Sequence, residues 1–207
     1  EVWDATTGSL PALDGAGFVV SLGAEESARD ERLPWVAAEV ELLRAAIAAE
    51  LPVLGVCFGG QALSIALGGD VDHAERPQIG WLAIDGDELE HGPWFHWHYE
   101  QLSVPPGAQL LARSPVGPAA FRAGRHLGMQ FHPEVTTAVI ADWVRSSSRL
   151  RELGIDADEL LAESERRSPA ARAAAWLLFD EWWALATGRP ERARGCRRSA
   201  SAPSPAP

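Results

Sequence analysis

The segment Leu54-Gly55-Val56-Cys57-Phe58-Gly59-Gly60-Gln61 constrains the fold more than any other part of this chain. Residues 52–56 (PVLGV) form an apolar run suited to a buried strand, and residues 60–67 read as a helix closed by Gly68 and Gly69. A strand that passes through Gly-x-Cys-x-Gly straight into a helix is the thiol form of a nucleophile elbow. Small flanking residues permit a sharp, strained turn that lifts the cysteine clear of the sheet. The helix N-terminus there favours negative charge on the sulfur, and the N–H of Phe58 is placed to face a developing oxyanion. A structural cysteine in a glycine-rich packing turn is the plainer alternative, and the eight-residue context argues against it.

The rest of the chain alternates short apolar runs with amphipathic stretches, the pattern of an α/β fold with a largely parallel sheet. Residues 1–4 read as the end of a strand, and 17–22 (GFVVSL) as a buried strand between glycines. Residues 35–50 carry Val36, Val40, Leu43 and Ile47 at helical spacing with no Gly or Pro, which predicts a helix. From 71 to 131, Pro and Gly break the chain into short antiparallel strands, expected at 79–84, 95–98, 109–113, 119–122 and 127–131. Residues 136–145 return to helix. Residues 156–167 and 169–186 read as a helical pair, with Pro169 near the first turn of the second helix. Trp176, Phe179, Trp182 and Trp183 form a stripe expected to pack on the main domain. The predicted organisation is a main domain over 1–148, a helical extension over 149–188 and a disordered Arg/Ser/Pro/Ala-rich tail over 189–207.

Composition excludes several classes. The formal charge is −11 and all 18 basic residues are Arg, so most of the surface would repel a nucleic acid. No apolar run is long enough to span a membrane, and no secretory signal is visible. Cys57 and Cys196 are the two cysteines, too few for a disulfide framework, so a cytoplasmic location is expected, with Cys196 in the tail and not catalytic. The first residue is Glu1, not Met, which raises the expectation that the true start lies upstream.

A thiolate nucleophile needs a base, and Gly128-Met129-Gln130-Phe131-His132-Pro133-Glu134 supplies one. In extended chain, residues two apart point to the same side, so Glu134 can lie beside the imidazole of His132. The carboxylate would fix the tautomer and leave the other ring nitrogen for Cys57, and Pro133 keeps the spacing stiff. His73, His91, His96 and His98 invite thought of a metal, but no Cys/His/Asp spacing matches a zinc pattern, so none is expected.

PVLGVCFGGQ and GMQFHPE are similar to the two signature segments of class I glutamine amidotransferase domains, the glutaminase part of GMP synthase and its stand-alone relatives. Residues 35–39 (WVAAE), 66–69, 79–81 and 95–98 extend the resemblance, which covers roughly Gly15 to Ala141. It implies a flavodoxin-like, mostly parallel sheet flanked by helices. By the same match Cys57 is the nucleophile, His132 the general base and then acid, and Glu134 the orienting carboxylate. Gln61 would help hold the glutamine backbone, and His98 and Tyr99 fall where the family has a His-Gly-Asp type stretch lining the pocket. The second oxyanion donor comes from a Gly-Gly-Pro-like loop in the family; residues 21–24 read Ser-Leu-Gly-Ala here, and Gly23 alone matches.

The implied activity is release of ammonia from glutamine through a γ-glutamyl thioester, with no metal or organic cofactor. No Gly-x-x-x-x-Gly-Lys-[Ser/Thr] nucleotide motif occurs, so the acceptor would be a separate synthase subunit or absent. Two other readings stay open: a γ-glutamyl peptidase or hydrolase using the same triad, which Tyr99 in place of a small residue favours, and a degenerate, inactive partner subunit. Family members open with a strand and helix not found before residue 1. Their loss would leave strand edges unpaired, which favours the third reading, whereas the intact triad opposes it.

Overall fold

The computed structural model describes residues 1–188 except 9, 31, 87, 88, 90 and 91; the expected tail with Cys196, and His91, lie outside the described residues. The main sheet has five strands in the order β1 (Val19–Ser21), β2 (Val53–Val56), β7 (His126–Met129), β6 (Gly117–Ala123) and β5 (Gln109–Ser114). Pairing is parallel from β1 through β2 to β7, and antiparallel from β7 through β6 to β5. A separate antiparallel hairpin joins β3 (Val71–Leu82) to β4 (Trp94–Leu102). One bridge, Phe95 to His132, ties this hairpin to the end of the main sheet.

Period-two alternation in β2 explains how helices cover both faces. Val53 points into a core shared with α1 (Pro34–Ala48) and α2 (Phe58–Ala66), where Val36, Val40, Leu43 and Leu63 are buried. Leu54 and Val56 point the other way, into a core with Met129, Phe131 and the C-terminal half of α4 (Ala157–Thr187). A third cluster packs Phe95 and Trp81 of the hairpin against Ile140 of α3 (Thr137–Ser146) and Leu160 of α4. No helix among the described residues is long and apolar enough to cross a membrane.

Four expectations change in the structure. Residues 1–4 are not a strand: Asp4 Oδ1 accepts from Thr6 N at 3.0 Å and Thr6 Oγ1 at 2.6 Å, nucleating a 3-10 turn at Ala5–Thr7. An Asp side chain that satisfies the local backbone competes with strand pairing. Nor is the strand expected over 17–22 buried: β1 is the outer strand among the described residues, and Phe18, Val20 and Leu22 are exposed because nothing described covers that edge.

The predicted pair of C-terminal helices is one continuous helix of 31 residues that runs through Pro169. Proline interrupts only its own hydrogen bond and crowds one carbonyl, and burial of Ser164 on one side and Ala174 and Leu178 on the other holds the axis together. The aromatic stripe is also narrower than expected. Trp182 is buried, Phe179 and Trp183 pack beside it against the sheet, and Trp176 is 60% exposed. By angle Trp176 lies near Trp183, at the rim of the buried line formed by Ala174, Leu178, Trp182 and Ala186, so it shares the side of the stripe but not its burial.

Trp182 anchors the helix: its indole N–H donates to Arg125 O at 3.2 Å, and Phe18 stands edge-on to it with ring centres 6.0 Å apart. Arg125 returns the favour by donating to Ala186 O at 2.9 Å near the helix end. Trp182→Ala is expected to cost about 3–5 kcal/mol in urea unfolding, as for other buried aromatics cut to Ala. Trp176→Ala should stay within about 0.5 kcal/mol of the parent.

Candidate active site

Cys57 sits between β2 and α2 at φ 52° and ψ −108°, a left-handed conformation rare for a residue with a side chain. The sequence makes that turn possible by removing side chains on all sides of it. A β-carbon on Gly55 would collide with the Gly59 carbonyl, one on Gly59 with the Ser21 carbonyl, and one on Gly60 with the Met129 carbonyl. The first turn of α2 thus lies directly on the ends of β1 and β7. Cys57 N–H donates to Met129 O at 2.8 Å and Gly59 N–H to Leu22 O at 3.1 Å, which fixes the turn to both neighbours. Phe58 opens α2, so its N–H is among those a helix leaves unpaired.

β7 delivers the second half of the site. His132 N–H donates to Phe95 O at 2.8 Å, and the ring Nδ1 lies 2.7 Å from Glu134 Oε1. The carboxylate accepts only, so Nδ1 carries the proton, and the rest of the buried ring interacts with the Cys57 sulfur. Burial alone would discharge this ring, but the Cys57 sulfur and then Glu134 outweigh it and lift its pKa to about 10. Gly23 closes the corner. A β-carbon there would lie 3.1 Å from His132 Cε1 and 3.8 Å from Cys57 Cβ, so the position has room for a backbone donor and little else.

The structure also brings in residues that the motif reading left without a role. Gln130, two residues before His132, is fully buried and aims Nε2 at Cys57 Sγ, 3.8 Å away. Its Oε1 accepts from Leu102 N at 3.0 Å and from Gln61 Nε2 at 3.4 Å. The strand alternation that paired His132 with Glu134 could have identified it. Trp143 of α3 stands edge-on to His132 with ring centres 4.9 Å apart, and only tertiary packing reveals that contact.

A cleft of about 690 Å³ opens over Cys57 and His132. Gln61, His98 and Tyr99, expected around the substrate, all border it. His98 contributes its ring surface, because both nitrogens are already engaged. Nδ1 lies 2.8 Å from the Glu100 carbonyl and must donate to it; Nε2 then accepts from His96 Nδ1 at 3.3 Å. Burial, aided by the positive charge of His132, pushes the His98 pKa down to about 4, and burial likewise holds His96 neutral. Among the described residues no group of three or more His, Cys, Asp or Glu side chains is placed to hold a metal ion.

Residues 3–142 match the model of the family described as glutamine amidotransferase class-I. The chain belongs to that family. The amidotransferase domain is 40% identical to a GMP synthase (glutamine-hydrolyzing) of Thermomicrobium roseum over 41% of this chain, and 32% identical to that of Bordetella avium over 62%. It spans only 18% and 27% of those two proteins. Among solved structures it is similar to a glutamine amidotransferase from Thermotoga maritima, with TM-score 0.79 and 26% identity over 86% of this chain and 84% of that one. A glutamine amidotransferase from Methylobacillus flagellatus gives TM-score 0.76 and 29% identity over 84% and 79%.

Of the three buried histidines, His132 and His98 have opposite effects on stability. The raised His132 pKa contributes stability that is complete below 6.5 and is lost as pH climbs toward about 10. The depressed His98 pKa contributes stability that is complete above 6.5 and is lost as pH falls toward about 4. Urea midpoints measured across pH should therefore peak near neutrality. In Cys57→Ala the alkaline slope should flatten, and NMR should show His132 titrating lower than in the parent; an unchanged His132 titration would rule out the sulfur as its partner.

Proposed function

We propose that this domain hydrolyses γ-glutamyl amides, glutamine first among them, through a thioester on Cys57. The observation that carries the reading is a strained cysteine at a helix N-terminus beside an imidazole whose far nitrogen is held by a carboxylate at 2.7 Å. Cys57 attacks the side-chain carbonyl, and the N–H groups of Phe58 and Gly23 receive the tetrahedral oxyanion. His132, charged and held by Glu134, gives its proton to the departing nitrogen, and the C–N bond breaks. The neutral ring then takes a proton from water, which attacks the thioester and frees glutamate and the thiol. Gln61 and the His98 ring border the bound γ-glutamyl group. Ammonia passes to a separate synthase subunit or to solvent.

Two features favour a second reading with the same chemistry, a hydrolase of larger γ-glutamyl amides. The cleft is in the size range of drug-like ligands, well beyond a single glutamine, and Tyr99 carries Arg149 across it.

Glutamate release from glutamine tests the core of the proposal. Cys57→Ala should abolish turnover, by roughly 10⁴-fold or more, with the fold intact. Glu134→Gln should lower kcat by about 10²- to 10⁴-fold because the ring loses its orienting charge. Gly23→Ala should lower it by roughly 10²-fold by crowding His132. Turnover surviving in Cys57→Ala would sink the assignment.

A further inference from the structure

The cleft holds an arginine that the thioester chemistry does not use. Arg149 follows the end of α3 and lays its guanidinium over the Tyr99 ring, 4.1 Å from the ring centre. Its own N–H donates to Ser147 Oγ at 3.3 Å, which tightens the turn that carries it. Glu25, Glu26, Glu100 and Glu134 border the same cleft, and Arg149 is the sole Arg or Lys among the described residues lining it. No ion pair to Arg149 occurs among the described residues.

These facts have a chemical consequence. An arginine beside carboxylates usually pairs with one of them; here the exposed guanidinium stands over an aromatic ring, and no side-chain hydrogen bond or ion pair to it occurs among the described residues. A guanidinium held over an aromatic face keeps a planar N–H fork that can take a carboxylate through two parallel hydrogen bonds. The acidic groups that border the cleft suit the α-ammonium of a γ-glutamyl group, so the ligand that fits this lining carries both signs of charge.

The position of Arg149 says which part of the substrate bears the carboxylate. The nitrogen that leaves must reach His132, since that ring protonates it. Trp143 of α3 flanks His132, and Arg149 lies just beyond the C-terminal end of the same helix. Trp143, Ser146, Ser147, Ser148 and Arg149 line the cleft in succession from His132, and the leaving group is placed along this wall.

Resting on the thioester reading, we infer that Arg149, seated on Tyr99, is a specificity residue that binds a carboxylate on the leaving group. The preferred substrates are γ-glutamyl amino acids or peptides, whose amine product carries that carboxylate. The bond changes are those of glutamine hydrolysis. The γ-glutamyl C–N bond breaks, a C–S bond forms on Cys57, His132 protonates the amino acid nitrogen, and water completes the release of glutamate.

The test compares three substrates on the purified chain: glutamine, γ-glutamylglycine, and γ-glutamylmethylamide, which is the glycine compound without its carboxylate. The parent should favour γ-glutamylglycine in kcat/KM. Arg149→Gln should lower kcat/KM for γ-glutamylglycine about 10- to 100-fold, mainly through KM, the range for a charge-assisted pair. It should leave the other two within about twofold, and Arg149→Lys should recover part of the loss. An equal drop for all three would place the carboxylate on the γ-glutamyl part and overturn the inference, as would no change for any. Loss of every turnover in Cys57→Ala checks the thioester reading separately. Calorimetry in the Cys57→Ala background checks binding without turnover: γ-glutamylglycine should bind more tightly than γ-glutamylmethylamide, and Arg149→Gln should erase the difference. Equal affinities there would also overturn the inference.

Discussion

The close approach of the first turn of α2 to the ends of β1 and β7 is the contact on which this molecule depends. Backbone lies on backbone at Gly55, Gly59 and Gly60, where a β-carbon has no space. That approach forces Cys57 into positive φ, and two hydrogen bonds to neighbouring strands, at 2.8 Å and 3.1 Å, hold it there. Conformational strain of this kind costs on the order of 1–3 kcal/mol and persists only where the surroundings over-determine it. Here the surroundings are the buried cores on both faces of β2.

The same geometry sets the electrostatics. Three histidines crowd one corner of the structure, all buried, yet they carry different charge. His132 faces a sulfur and a carboxylate, and these outweigh desolvation. His96 and His98 face each other and a backbone carbonyl, which no positive charge needs, so burial decides and both stay neutral. The charged ring depresses the neutral pair still further, so the site concentrates its positive charge on the one imidazole that lies beside Cys57. The β3–β4 hairpin carries the neutral pair and also bonds the His132 backbone through Phe95, so the same element positions the ring and surrounds it.

The long C-terminal helix contributes by closing the opposite face of the sheet. Leu178, Trp182 and Ala186 bury Leu127 and Met129 of β7, the strand that leads into His132. Farther up the same helix, Ser164 accepts the Trp81 indole N–H at 2.9 Å and Leu160 packs with Phe95 and Ile140. One helix thus braces both the strand and the hairpin that frame His132.

The amino-acid sequence by itself determined the α/β pattern, the elbow at Cys57 and the His132–Glu134 pair. Each depends on neighbours a few residues apart, through strand alternation, glycine at tight turns and helical spacing, and such local rules can be read along a chain. Those rules also misled where a distant surface overruled them. Pro169 marks a helix boundary locally, but packing on both sides of it keeps one helix; Trp176 belongs to the stripe by spacing, but it lies at the rim of the line Ala174, Leu178, Trp182 and Ala186 that is buried, and stays exposed. The tertiary structure alone decided that Gly23 faces His132, that Gln130 reaches Cys57, that His98 spends both nitrogens on internal bonds, and that Arg149 lies on Tyr99. Most of these contacts join segments far apart in the chain, and their geometry is set by the packing of sheet, hairpin and helices, which no local pattern encodes.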